Sequence, residues 1–397
     1  MPPRFLHVDL DAFFVEVCRR HHPELRAVEF LVVGGRRDQR GVVQSASYPA
    51  RRFGIHAGMP IAQAVRLCPQ ATFFQGSFAN YPRASQQVSR VLERFSPTVV
   101  MASLDEAYLD FTGTERLYPV TLLPVAERIR DTVLQEAGLD CSIGIGPNRM
   151  VAKLASDAAK PRGLMEIRPG WEEGFVAGLS LSALPGVGHK GAVRLGQLGL
   201  TKVWQIQQMR LEDLQEILGE EAKWLKHRAH GHGGTRLTPD RGQKSMSRET
   251  TFARDTVDPA ALDHILSLFA ARVASQLREE GLAGRTVTLK LRHGDFHTVT
   301  RRKTLEDPTD LDQEIYAAAR SLFDPAFEDV RRRGQGVRLL GVGISNIVPA
   351  GPADLFESEE RRRLRGVTQA VDAVRKKFGF ESLTTAKLLD TRSGDQE

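Results

Sequence analysis

The sequence predicts a multidomain α+β protein, and three observations predict it. At 397 residues the chain is too long for one core, so two to four domains are expected. Its first 160 or so residues interleave short β-rich runs with amphipathic helices, the pattern of a sheet with one face covered. From about residue 167 short helical stretches and glycine turns take over, and a second α/β stretch begins near residue 244. Composition sets the class: 41% hydrophobic and 26% charged residues fit a soluble globular protein. No apolar run approaches the ~20 residues of a membrane span, and Met1 to Leu10 shows no leader pattern. Three cysteines (Cys18, Cys68, Cys141) at no metal-like spacing point to a reducing cytoplasm rather than a disulfide framework. A net charge of +6 permits a polyanionic partner without requiring one.

The elements follow in order. Residues 4–10 (RFLHVDL) read as a strand ending at Asp9, and Asp11 opens a helix over Ala12–Arg20. Two short strands at 29–34 and 41–47 flank a Gly34-Gly35 turn, and Pro60-Ile61 starts a short helix. Val88, Val91, Leu92 and Phe95 give 78–95 a helical period. Strands at 98–103 and 107–111 surround Leu104-Asp105-Glu106. A second amphipathic helix carries Leu122, Val125, Ala126, Ile129 and Val133. A strand at 140–145 and a helix at 148–159 complete this part. Gly, His, Arg and Ser crowd residues 227–247, which marks a linker. Beyond it come a helix (259–280), strands (285–293 and 296–304), a helix (311–323) and a strand (336–346). In the tail, Leu364, Val367, Val371, Val374 and Phe378 repeat at 3,4,3,4 spacing, an amphipathic helix.

Two groups of residues carry chemistry. Asp9 sits among apolar residues, where an unpaired charge is costly, and Asp105-Glu106 lies between two strands. Carboxylates gathered by a sheet repel unless cations neutralise them. Hard oxygen ligands suit Mg²⁺, and two such ions can clamp an in-line phosphoryl displacement. The second group is Ser45, Tyr48 and Arg51 in SASYPARRFG, with Lys160 in AAKPRG. A hydroxyl, a phenol, a guanidinium and an ammonium can grip a triphosphate. His227, His230 and His232 lack a cysteine or carboxylate partner at ligand spacing and read as loop histidines.

HVDLDAFF (7–14), SYPARRFGIHAGMP (47–60), SLDEAYLD (103–110), SIGIGPNRMVAKLASDAAKPRG (142–163) and LPGVGHK (184–190) together resemble the Y-family translesion DNA polymerases, on the bacterial polymerase IV branch. The resemblance spans residues 4–349 in the order and spacing of that family. It implies a right-hand polymerase: a palm (1–10 and 78–166), small fingers (11–77), a helical thumb containing a helix-hairpin-helix (167–233), a linker (234–243), an α/β little finger (244–349) and a tail (350–397). By the same resemblance Asp9, Asp105 and Glu106 are the catalytic metal ligands, with the Leu10 carbonyl on the nucleotide-bound ion. Two Mg²⁺ ions are expected per site, with Mn²⁺ as a substitute. Phe14 occupies the steric-gate position, where its ring would exclude a 2′-OH. Phe13, Phe14, Ser45, Tyr48, Arg51 and Lys160 match the nucleotide contacts. Val42 and Gln44 would roof the templating base, and Gln44 is bulkier than the small residues of some relatives.

Beyond the active site, Gly186 and Gly188, with Lys190, form a helix-hairpin-helix turn whose N–H groups could take a DNA phosphate. Lys290 and Arg292 alternate onto one face of a strand. Arg301, Arg302 and Arg248 are expected to join them in a basic sheet face that tracks a duplex. The resemblance also implies a sliding-clamp peptide at Leu355 and Phe356, although Pro352 stands where the motif's glutamine is usual. The expected partners are primer-template DNA, a dNTP and the clamp, with no membrane, for a cytoplasmic monomer. The expected activity is low-fidelity, template-directed synthesis past damage. The alternatives are a catalytically silent DNA-binding scaffold and a single-nucleotide transferase; the intact acids argue against the first, and no added base-reading segment supports the second.

Overall fold

The computed structural model describes residues 3–237, 242–351 and 359–383. The chain divides into two compact units, Met1–Arg241 and Gly242–Glu397.

The first unit starts with β1 (Phe5–Leu10), the fully buried centre of a five-stranded sheet. Helix α1 (Phe13–His21) follows at once. Asp11 does not cap it: the cap is Ala12, in a left-handed conformation with no side-chain bond. A small three-stranded sheet of β2 (Leu31–Val33), β3 (Ser45–Ala46) and β4 (Thr72–Phe74) comes next, with the short helices α2 (Tyr48–Arg51) and α3 (Ile61–Leu67). Its strands are shorter than the sequence suggests, and β4 was not expected. Its core, around Val32, Ile55, Met59 and Ile61, is separate from that of the large sheet. Gly34 is required here: at φ 153° an added Cβ would lie 2.2 Å from the Val42 carbonyl.

The large sheet is completed by β5 (Val99–Met101), β6 (Glu106–Asp110), β7 (Cys141–Gly146) and β8 (Leu164–Glu166), in the order β5-β6-β1-β7-β8. Helices α4 (Asn80–Leu92) and α5 (Leu123–Ala137) place Val88, Val91, Ile129 and Val133 in one core with Ile143 and Ile145 of β7. Helix α6 (Arg149–Ala159), capped by Asn148, lies on the other face. There Gly144 and Gly146 alternate with the isoleucines, and a Cβ on Gly144 would meet the Ala152 carbonyl at 2.1 Å. The sheet is thus covered on both faces, not on one as expected, because two glycines let a helix backbone approach. Five helices follow: α7 (Glu172–Ala177), α8 (His189–Gln197), α9 (Val203–Gln208), α10 (Leu211–Leu218) and α11 (Glu221–Ala229). Their core includes Met150, Val151 and Leu154 of α6.

In the second unit, β9 (Ser245–Thr256), β10 (Leu282–His293), β11 (Thr298–Thr309) and β12 (Val337–Pro349) form a sheet in the order β11-β10-β12-β9. Helices α12 (Pro259–Glu279) and α13 (Asp312–Arg332) bury Leu266, Val273, Ile315 and Phe323 against Leu289, Leu291, Val342 and Ile344. Helix α14 (Glu359–Phe378) matches the tail helix expected from the sequence. Its docked face is more polar than the apolar stripe suggests. Arg278 of α12 donates to Asp372 of α14 at 2.5 and 3.0 Å and to Asp312 at 2.8 Å. Arg361 and Arg365 of α14 pair with Glu314 and Asp310. Val367 and Phe378 stay exposed.

Candidate active site

Pairing of β1 with β6 sets Asp9 opposite Glu106, and pairing with β7 sets Asp9 opposite Ser142. The three side chains share the face that α6 crosses. The Leu10 N–H donates to the Asp105 carbonyl at 2.9 Å and ties the two acidic segments together. Asp9, Leu10, Asp105, Glu106, Phe13, Phe14, Gln44, Ser45, Tyr48, Arg51 and Lys160 all line one cavity of about 230 Å³. Every residue expected at the carboxylate site, the sugar gate and the triphosphate grip therefore meets in a single pocket.

Each acid has a protein donor. Lys160 Nζ lies 2.6 Å from Asp9 Oδ2 and 3.0 Å from Asp157 Oδ1. Burial pushes the Asp9 carboxyl up to about 6, against the pull of that ammonium. Glu106 receives Lys153 Nζ at 2.7 Å and meets His7 Nε2 at 3.3 Å. The His7 bond leads in holding its carboxyl down at about 2, with Lys153 adding to it. Ser103 Oγ donates to Asp105 Oδ1 at 2.5 Å. Among the described residues no three acids, histidines or cysteines are grouped so as to hold a metal ion. The donor set is nonetheless all oxygen, and two ammonium groups already sit on two of the acids. Hard cations of the Mg²⁺ kind fit that chemistry.

Phe14 lines the pocket, and its ring meets buried Tyr81 edge-on at 4.6 Å. Tyr81 hydrogen-bonds Cys18 Sγ at 3.4 Å, so Phe14 is braced from behind. Arg51 stacks on the Tyr48 ring at 4.7 Å and donates Nε to the Ala46 carbonyl at 2.9 Å. Tyr48 donates to Asp11 Oδ1 at 2.6 Å. Sequence reasoning missed His7, Asp11, Lys153 and Ser156, whose hydroxyl lies 2.7 Å from His7 Nδ1. The signal for the last two was present: Lys153, Ser156, Asp157 and Lys160 form a polar stripe at helical spacing on α6.

Gly186 (φ 102°) sits against the Trp224 ring, which an added Cβ would reach at 2.4 Å. Gly188 caps α8, and exposed Lys190 lies in its first turn, where N–H groups lack intrahelical acceptors. In the second unit, Lys290 pairs across the sheet with Gly341, Gly341 with Glu249, and Thr288 with Arg302. Lys290, Arg292 and Arg302 therefore share the open face, where Lys290 meets Glu249 at 2.8 Å. Arg301 and Arg248 do not join them. Arg301 pairs with Leu289 and Arg248 with Val342, which puts both on the helix-covered face; Arg248 donates there to Gln276 of α12 at 2.8 Å. Alternation along each strand separates residues that sequence proximity had grouped. Leu355 and Phe356 lie outside the described residues.

Comparison with known proteins gives a consistent result. Residues 8–157 match the impB/mucB/samB family, and residues 243–355 match that family's C-terminal domain. DNA polymerase IV of Dehalococcoides mccartyi strain CBDB1 is 39% identical over 385 residues, covering 97% of each chain. DNA polymerase IV of Caulobacter vibrioides is 38% identical over 388 residues, covering 97% of this chain and 94% of its own. Among solved structures, a Y-family DNA polymerase chimera superimposes with a TM-score of 0.72 at 25% identity. The insertion ternary complex of Dbh DNA polymerase gives 0.58 at 26%. Each covers 87% of this chain and 99% of its own.

Proposed function

Because the chain belongs to the impB/mucB/samB family and has DNA polymerase IV relatives along 97% of its length, it is a template-directed DNA polymerase of the translesion type, and we propose how its residues divide the work. The observation that carries the reading is the shared cavity, in which carboxylates, an aromatic gate and cationic side chains face one small volume.

Asp9, Asp105, Glu106 and the Leu10 carbonyl would hold two Mg²⁺ ions, or Mn²⁺ in their place. When bound, those ions polarise the α-phosphate and lower the pKa of the primer 3′-OH. Arg51, Tyr48, Ser45 and Lys160 bind the triphosphate and orient its α-phosphate in line with the primer oxygen. Lys160, already on Asp9, offers its charge to the phosphates. Glu106, held ionised by His7 and Lys153, would stay acceptor-only toward a bound cation. Phe14, backed by Tyr81, fills the space a 2′-OH would need. The bond from the primer oxygen to the α-phosphorus forms as the bond to pyrophosphate breaks.

The carboxylate sheet acts as palm, the small sheet with α2 and α3 as fingers, helices α7–α11 as thumb, and residues 244–349 as little finger. Small fingers enclose the base pair loosely, which admits damaged templates at a cost in fidelity. Gly186, Gly188 and Lys190 take one DNA phosphate run, and Lys290, Arg292 and Arg302 another. Leu355 and Phe356 serve a sliding clamp, tested by comparing clamp affinity of wild type with a Leu355→Ala/Phe356→Ala variant. Three buried free thiols, Cys18, Cys68 and Cys141, suit a reducing cytoplasm. No helix among the described residues is long and apolar enough to cross a membrane.

Single-nucleotide incorporation tests the reading. Each dNTP is offered alone against each of the four template bases. Incorporation that follows the template supports a polymerase; one nucleotide added whatever the template indicates a transferase. None from a folded, DNA-binding protein indicates a scaffold.

A further inference from the structure

Asp11 is the second acid of the VDLD segment, yet it does not line the pocket. It is 4% exposed, and its carboxylate collects donors from three separate parts of the chain. The Tyr48 hydroxyl of α2 donates to Oδ1 at 2.6 Å. The Ser142 hydroxyl of β7 lies 3.1 and 3.0 Å from the two oxygens. The Arg162 N–H, two residues beyond Lys160, donates to Oδ2 at 2.8 Å. Arg162 itself sits at φ 54°, a left-handed conformation that a non-glycine residue adopts only when its surroundings hold it there. The Asp11 N–H donates to the Asp140 carbonyl at 2.9 Å, so the acid is fixed from its own backbone as well.

All three partners are placed as donors, and an ionised carboxylate can accept from all of them at once without any hydroxyl having to turn. Two of them adjoin the residues proposed to grip the triphosphate. Tyr48 is one of those residues, and its ring carries the Arg51 guanidinium. Arg162 fixes the turn through which the chain leaves α6 at Lys160. We infer that Asp11 is a positioning residue that assembles the triphosphate grip, holding Tyr48 with Arg51 on one side and the Lys160 turn on the other. Asp11 touches neither metal nor nucleotide. It acts through Tyr48 and the 160–162 turn, and the inference rests on the polymerase reading above.

An asparagine here removes the charge and turns an N–H₂ toward the Tyr48 or Ser142 hydroxyl, which must then give up its donation, so one arm of the grip weakens. The test uses the full chain on a dideoxy-terminated primer-template, so that dNTP binding is read without chemistry. For Asp11→Asn the expected result is a dNTP Kd raised about tenfold or more, with unchanged DNA affinity, as for loss of a charge-assisted hydrogen bond. In steady state the KM for dNTP should rise more than kcat falls. In a cycle with Tyr48→Phe the two losses should not add, because Asp11 acts partly through that hydroxyl. Unchanged dNTP affinity in a folded variant, or strict additivity with Tyr48→Phe, would overturn the inference. Should Asp11→Asn not fold, amide exchange in the wild type replaces it. A protected Arg162 N–H supports the buried bond, and a freely exchanging one contradicts it. Normal template-directed extension with an indifferent Asp11→Asn sinks this inference alone, whereas no extension by wild type sinks the polymerase reading.

Discussion

Phe14, the proposed sugar gate, would set substrate choice through a single side chain. Its edge-on contact with Tyr81 at 4.6 Å leaves the ring no room to retreat from an added oxygen. Forcing extra atoms into a packed site costs about 1–3 kcal/mol, roughly tenfold to a hundredfold in selection. Phe14→Ala should therefore raise ribonucleotide incorporation by about that factor, read from rNTP and dNTP competition; unchanged sugar selectivity would refute the gate. His293 makes a different point. It is fully buried at the end of β10, and both ring nitrogens lack a hydrogen-bond partner among the described residues. Burial leads in holding its pKa below the usual histidine value. The unfolded chain thus binds a proton that the folded chain refuses. Stability is present above about pH 6.5 and lost as pH falls below it. The melting temperature of His293→Phe should fall less steeply than that of wild type between about pH 7.5 and 5.5; parallel curves would contradict this. Asp9 was legible in the sequence because an acid inside an apolar strand needs a reason. Asp11 was not, because its role depends on Tyr48 and Arg162, which come near it only when the chain folds.

At the scale of elements, periodicity located the longer helices and most strands, left β8 and the short helices α7, α9, α10 and α11 without bounds, and failed where tertiary contact decides. Strand β4 is three residues long and pairs in parallel with β2, which no local pattern announces. Gly144 and Gly146 read as a plain strand end, yet they admit α6 onto the sheet and so deliver Lys153 and Lys160 to the acids. The basic strands were legible as charge but not as geometry, since cross-strand register separates Arg248 and Arg301 from Lys290, Arg292 and Arg302. That register makes a prediction. Lys290→Ala or Arg292→Ala should lower the slope of log K against log salt for DNA binding by about one unit each. Arg301→Ala should change it less, and equal effects would return Arg301 to the contact face. Helix α14 depends on Arg278, whose guanidinium is mostly buried between Asp312 and Asp372. Removing one partner from such a group costs about 3 kcal/mol or more. Limited proteolysis of Arg278→Ala should cut within 359–383 well before the rest of the chain; a wild-type pattern would show that the ion pairs do not hold the helix.

Over the whole molecule, the chain's two compact units account for how its sequence could be read. The first brings together segments near residues 9, 45, 105 and 160, far apart in sequence, into one cavity. Ordered motifs could announce that site, but only the sheet register explains why Asp9 faces Glu106 and why α6 supplies their counter-charges. In the proposed function these carboxylates drive nucleotidyl transfer directed by a template. The most direct measurement is primer extension on a defined template with Mg²⁺ and all four dNTPs, wild type beside Asp105→Ala, with DNA affinity and melting temperature recorded for both. Wild type should extend the primer fully. The variant should lose at least about a thousandfold in rate, several kcal/mol of transition-state stabilisation, with folding and DNA binding intact. Extension by a folded Asp105→Ala at the wild-type rate, or no extension by wild type, would contradict the proposed function.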